Sequence, residues 1–443
     1  MVDLPLHLRD QLSFIHILGI ASANLAPSIL WMITPSFFGP ISSRLHVSQF
    51  WKSVLLFLCS FSGFIVCPIV GIYSDNSTFK WGRRRIYIVS ALFLMIFGLI
   101  LLINCDEIGI YFNPLNPIPT QQFIFFISYL ILVTAGNVMQ TPARSICTDV
   151  TPLSQQNLMA NICSVFGGLG GLLIDILGGL KLHKYTNLNQ EQFILLTSTI
   201  LCVLSILITI IVTPEEPLLV KSHKIHLFDL LYDAFVKMSK PMISSLPSFV
   251  LATLAYFQYS FQFSHFIAKD IFHGDNSDMT RTDLVKKYND GISWAMFCGA
   301  MKYASQFFYG FVCHRFSEVF GFKLTSFFGY FLMSIGLFLF FFVNSRYVYL
   351  FIPVLLGIGY GTCMSVPYAI AAINAKMRNQ EVGVYFGILI LFSVIGEQCS
   401  NFGIGVGLGH IFPDNPRMMI AVSSIFGVLA AFSSFWIVEN KIE

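Results

Sequence analysis

The chain has 443 residues, of which 55% are hydrophobic, 15% aromatic and only 11% charged. Soluble chains carry about 25% charged residues, so this composition excludes disorder, a collagen-like repeat and an extracellular disulfide scaffold, and argues against a cytosolic enzyme. A formal charge of +3, with the basic residues in short clusters, leaves no nucleic-acid footprint, and a polytopic membrane protein remains.

The N-terminal MVDLPLHLRD carries acids and no small-residue cleavage site follows its first apolar run, so no cleaved signal peptide is expected. A helix needs about 20 apolar residues to cross ~30 Å of hydrocarbon, because lipid satisfies no free backbone group. Segments at about 12–38, 51–73, 86–104, 122–150, 158–180, 193–213, 244–268, 291–313, 324–343, 347–373, 381–407 and 417–438 meet that test. Two gaps are long: Pro214 to Ile243 and Lys269 to Asp290. The first divides the chain into an N-terminal six-helix bundle (1–213), a central loop (214–243) and a C-terminal six-helix bundle (244–443). The expected fold is therefore all-α, a polytopic membrane protein with twelve transmembrane helices in two six-helix pseudo-repeats.

Lys80, Arg83, Arg84 and Arg85 follow span two, whereas Cys105 to Gln121 contains no lysine or arginine. Inside-positive bias then places both termini and the central loop in the cytoplasm, with the plasma membrane as the expected location. The loop with Lys269, Arg281, Lys286 and Lys287 runs against that bias, softened by Asp270, Asp275, Asp278 and Asp283. Most cysteines, Cys59, Cys67, Cys163, Cys202, Cys298, Cys313, Cys363 and Cys399, sit in apolar stretches and read as small core residues. With no CxxC pair or Cys/His spacing, no metal and no cofactor is expected.

One internal echo stands out. GIYSDNSTFKWGRRR follows span two and GFVCHRFSEVFGFK follows span eight; Gly71 to Gly82 and Gly310 to Gly321 have the same interval, and a base follows two residues later, Arg84 or Lys323. Spans two and eight correspond when six helices are laid over six, as in a carrier built of two repeats with a solute site near mid-membrane.

Gly71, Ser74, Asp75 and Gly82-Arg83-Arg84-Arg85 resemble the loop signature of the major facilitator superfamily, in the lengthened form of the glycoside-pentoside-hexuronide branch and its sucrose transporters. NVMQTPARSICTDV in span four is similar to the same branch at Asn137, Gln140, Pro142, Arg144 and Asp149. The resemblance implies a sugar carrier that uses the proton as co-substrate. Four polar positions of plant-type sucrose transporters are apolar or shortened here, at Ile29, Val133, Ser293 and Ile390, so sucrose specificity and the family's proton mechanism do not transfer directly.

The residues have physical readings of their own. Gly71 permits close helix approach, and Asp75 beside Arg83, Arg84 and Arg85 can form a charge cluster that gates the cytoplasmic side; an inside-positive anchor is the plainer alternative. Asn137, Gln140 and Arg144, at i, i+3 and i+7, share one face of span four, and Arg144 offers paired donors to a solute or snorkels to an interface. Asp149 lies about 140° around the same helix and is either a coupling acid or a solvated loop acid. Asp175, Lys302 and Glu397 sit inside apolar spans, where a charge costs at least ~2.5 kcal/mol. Glu397 could take up a proton or serve as a packing acid, Lys302 could pair with Glu397 or Asp175 or snorkel, and Asp175 could reach external water. Tyr256 and Tyr360 are among several aromatics that could stack on a sugar ring, and Gly167, Gly168, Gly170 and Gly171 read as close helix packing. The expected partners are the lipid bilayer, a small solute of sugar type and a proton. A facilitative carrier of an amphipathic solute is the first alternative, and a non-transporting sensor the second.

Overall fold

The computed structural model describes residues 11–47, 49–180, 185–186, 188, 190–215, 232, 235–275, 281–378, 382–407 and 415–439. Most of the central loop, Asp278 and the C-terminal tail lie outside the described residues. Among those described, every regular element is helical.

The first span is two helices, α1 (Phe14–Ala21) and α2 (Leu25–Arg44), separated by a tight turn at Ser22–Asn24. The Ser22 hydroxyl donates to the Gly19 carbonyl at 2.8 Å and the Asn24 amide to the Ala21 carbonyl at 3.2 Å. Such local side-chain bonds compete with the helical ladder, which tightens here to a 3₁₀ turn within one span. There follow α3 (Gln49–Asp75), α4 (Arg85–Ile103), the short α5 (Cys105–Phe112), α6 (Pro117–Val150), α7 (Gln156–Gly179) and α8 (Gln190–Val212). Beyond the central loop come α9 (Lys240–Phe266), α10 (Thr282–Phe338), α11 (Ile352–Met377), α12 (Val382–Cys399) and α13 (Pro416–Ser433). Proline opens α6, α9 and α13, where its missing N–H costs nothing. Ser239 and Asn415 cap the last two by accepting from the N–H groups of Met242 and Met418.

Ten helices among the described residues are long and apolar enough to cross a bilayer. One of them, Thr282–Phe341, holds spans eight and nine as two helices that meet at a kink at Gly321. The stretch His314 to Phe320 holds no helix breaker, so α10 continues to Gly321, whose φ of 79° and ψ of 171° supply the bend. The other difference is α9, span seven, whose Ser244, Ser245, Ser248, Thr253, Gln258 and Ser260 dilute its apolar character. With α10 counted as two spans and α9 as one, the twelve spans of the sequence are accounted for.

Packing divides the chain into two compact units, Met1–Met159 with Leu182–Lys237 and Ala375–Val394, and Ala160–Lys181 with Met238–Asn374 and Ile395–Glu443. Within the first, α6 packs on α3 and α4; within the second, α9 and α10 pack on α13. Also in the second, the glycine run of α7 meets α10, where a Cβ on Gly168 would lie 2.7 Å from the Phe307 backbone nitrogen. Small residues let the two backbones approach this closely, as the run suggested. None of the ten cysteines is in a disulfide, and Cys399 alone is exposed.

Candidate functional site

In the first unit, the end of α3, the loop after it and the ends of α6, α8 and α12 converge on one ion network. Arg84 is fully buried and Asp75 is 1% exposed. The Arg84 guanidinium donates in three directions, to an Asp75 oxygen, to Asp149 from Nε at 3.0 Å, and to the Ser74 hydroxyl at 2.6 Å. Arg83 meets the same Asp149 oxygen at 2.8 Å from a more open position. The second Asp75 oxygen accepts the Val384 backbone N–H at 3.0 Å, in the first turn of α12, where unpaired N–H groups and the helix dipole favour an anion. Close approach makes this possible, since a Cβ on Gly71 would lie 2.6 Å from the Gly383 carbonyl oxygen and one on Gly383 would lie 2.7 Å from both Asp75 oxygens. Lys376 closes the rim by donating to the Thr151 carbonyl.

Glu215, just past α8, completes the network and was not evident from the sequence alone. Its two oxygens accept the backbone N–H groups of Arg84 at 2.8 Å and Arg85 at 3.2 Å, while the Arg85 guanidinium caps the carbonyls of Ile210 and Thr213. The second unit repeats the arrangement: Glu439, just past the last span, accepts the Lys323 N–H at 2.7 Å. Gly82 (φ 125°) and Gly321 (φ 79°) both adopt the left-handed region and lie against these carboxylates, and Gly310, like Gly71, sits at a close helix approach. The echo noticed in the sequence thus has a counterpart in geometry. The signal that would have exposed it is an acid at the same place after spans six and twelve.

Burial works against the positive charge of Arg84, but the Asp75 and Asp149 carboxylates outweigh it and hold its pKa above the usual arginine value. Burial raises the Glu215 pKa, opposed by the two backbone N–H groups it accepts. A carboxyl with a raised folded-state pKa stabilises the fold below its unfolded pKa and loses that contribution as pH rises through the folded value. Glu215→Gln, which keeps an acceptor oxygen, should therefore flatten the fall in melting temperature above the ordinary carboxylate range. An unchanged pH profile in a thermal melt would count against this assignment.

Asn137, Gln140 and Arg144 do not form one cluster. Asn137 is buried and donates to the Ser62 hydroxyl of α3 at 3.0 Å, whereas Gln140 accepts the Trp31 indole N–H at 3.1 Å and Arg144 is half-buried. Beside Trp31, the residues Leu30, Leu132, Val133 and Gly136 line a shallow crevice with no room for even a water-sized guest. It is no ligand pocket, and it is lined by apolar residues where sucrose transporters have an aspartate at the Val133 position.

The second unit holds the other intramembrane charges. Lys302 on α10 is 2% exposed and Asp175 on α7 is 3% exposed, so neither snorkels nor reaches external water. The Lys302 ammonium donates to the Tyr256 hydroxyl, and its nitrogen lies 3.4 Å from the Tyr303 ring centre and 5.0 and 5.1 Å from those of Tyr256 and Tyr360. The last two rings stack at 4.0 Å. Lys302 and Asp175 act on each other electrostatically across the buried interior of this unit. Glu397 is half-buried near the end of α12, where Ser400 donates to Gln258 at 3.1 Å. Tyr303 and Gln306, one residue and one turn beyond Lys302, complete the polar face and are hidden in the sequence by the abundance of aromatics.

A 145-residue stretch is 30% identical to solute carrier family 45 member 4 of Homo sapiens, covering 32% of this chain and 18% of that relative. A sucrose transport protein of Oryza sativa subsp. indica is 21% identical over 415 residues, 83% of this chain and 77% of the relative. Among solved structures, the E. coli fucose:proton symporter FucP in its outward conformation superposes with a TM-score of 0.66 at 14% identity, covering 96% of this chain and 99% of FucP. The model of the Major Facilitator Superfamily matches residues 12–397, and with this helical fold and its buried loop network the chain belongs to that family.

Proposed function

We propose that the protein is a secondary transporter that moves a sugar or glycoside by alternating access, with a proton as co-substrate. The observation that carries this reading is the Asp75–Arg84–Asp149 network, which ties the ends of spans two and four to the start of span eleven. A membrane anchor needs neither a fully buried arginine nor a glycine pair that brings Asp75 onto a helix N-terminus. A gate needs both, because the contact must close tightly and still separate when the helices move. Gly71, Asp75, Gly82, Arg83, Arg84 and Arg85 form it, joined by Asp149. Both termini face the cytoplasm, the membrane is the plasma membrane, and residues 1–213 and 244–443 are the two six-helix repeats joined by 214–243.

The sucrose transport relative favours a glycoside as cargo. Gln140, Arg144 and Asp175 in the first repeat, and Lys302 and Glu397 in the second, supply donors and acceptors for solute and proton. The apolar residues Ile29, Val133 and Ile390, at positions that are polar in sucrose transporters, favour a second reading, in which the cargo is amphipathic rather than fully hydroxylated. Uptake of labelled sucrose, maltose and glucose into a transport-deficient host tests the first reading. At least one should enter above background, and Arg144→Ala should reduce that uptake by tenfold or more, the loss of about 1.4 kcal/mol or more of binding. Entry of none would leave the amphipathic reading.

A further inference from the structure

The buried pair on α7 and α10 goes further than the gate. The Asp175 carboxylate is only 3% exposed, and Lys302 is the cation among the described residues that acts on it, from beyond direct contact. Its neighbour is the backbone of Gly299, one turn before Lys302. An ionised carboxylate this deep in a membrane span is costly, and a proton or a ligand removes the cost. Lys302 has given one N–H to Tyr256 and lies against aromatic faces, which attract a cation without neutralising it. One turn further along α10, the Gln306 amide donates to the Ser164 carbonyl at 3.4 Å, while its own carbonyl oxygen is buried without a partner. An unsatisfied acceptor, a partly satisfied donor and a stacked tyrosine pair thus share one region.

The titratable groups that face Asp175 are Cys298, Lys302 and Tyr303 from α10 and Tyr256 and Tyr259 from α9. Lys302 is the single cation among them. With Asp175 ionised the pair is neutral overall; with Asp175 protonated, a positive charge remains on Lys302 and has no counter-charge beside it. We infer that Asp175 is the proton-binding group of this carrier, and that a proton bound there releases Lys302 to hold an uncharged, hydroxyl-bearing solute beside Gln306.

The second half of that statement rests on the sugar-carrier reading; the first does not. One O–H bond forms on Asp175 when a proton arrives from water and breaks when the proton returns to water after the solute leaves. Lys302 donates to solute oxygens, Gln306 accepts from a solute hydroxyl, and the ring stack covers an apolar face. Because coupling between two binding events is reciprocal, solute also raises the proton affinity of Asp175 by the factor by which the proton raises solute affinity.

The full-length protein in lipid vesicles, without solute, tests the proton site by infrared difference spectroscopy between acid and alkaline buffer. A protonated-carboxyl band should be present in the wild type, absent in Asp175→Asn, shifted in Asp175→Glu and retained in Glu397→Gln. The glutamate variant keeps the test decisive if the asparagine variant does not fold. A band that survives in Asp175→Asn, or disappears in Glu397→Gln instead, overturns the assignment. In a second arm, labelled sucrose uptake driven by an inside-alkaline gradient should lose its pH dependence in Asp175→Asn; retained pH dependence would overturn the coupling. If the wild type carries no sucrose, the infrared result still decides the proton site, and the sugar reading alone falls.

Discussion

Arg84→Ala should destabilise the protein by about 3–5 kcal/mol, the range for removing one partner of a buried ion pair, and should abolish uptake. Two carboxylates, Asp75 and Asp149, would lose the guanidinium that lies between them, and Asp75 is too deeply buried for water to replace it. Arg84→Lys should not restore stability, because a single ammonium cannot reach Asp75, Asp149 and Ser74 together. Arg83→Ala is the informative comparison. Arg83 is 26% exposed and pairs most closely with Asp149, so its removal should cost no more than about 1 kcal/mol. Thermal unfolding in detergent ranks the three variants, and equal losses for Arg83→Ala and Arg84→Ala would remove the special position given to Arg84.

Lys302→Ala should have the second large effect. Asp175 would keep its burial and lose the cation that acts on it among the described residues, at a cost of about 1–3 kcal/mol if it stays ionised, and uptake should be lost with it. Adding Asp175→Asn should recover much of the lost stability without recovering uptake, because the double variant has no buried charge left to compensate. This non-additivity is the signature of a coupled pair, since independent sites add within about 0.5 kcal/mol. Purely additive losses in melts of the two single variants and the double variant would mean that the residues do not interact.

Much of this was legible in the residues because the physics involved is local. Long apolar runs locate spans, and Gly71, Asp75 and Arg83 to Arg85 announce close approach and charge within fifteen consecutive positions. Spans eight and nine meet without an intervening loop for an equally local reason, since Gly321 in the left-handed region turns the chain in a single residue. Partners distant in sequence were less accessible. Nothing in span four says that Asn137 is held by Ser62, 75 positions away, while its helical neighbour Gln140 turns to Trp31, 109 positions away. Periodicity gives the face of a helix and not the helix it meets. Asp149 illustrates the same limit: its angle around α6 separated it from Arg144, but only the fold brings Arg83 and Arg84 to it. Glu215 and Glu439 each follow the last span of a repeat, and their roles depend on backbone N–H groups that no side-chain pattern reveals.

Counterflow tests the transport assignment most directly. Liposomes containing the purified protein are loaded with unlabelled sucrose and diluted into trace labelled sucrose with no pH gradient. A carrier that exposes one site alternately to the two sides must accumulate label transiently above its equilibrium level and then release it, whatever ion it is coupled to. A label time course indistinguishable from that of protein-free liposomes, repeated with maltose and glucose, would contradict sugar transport by this protein.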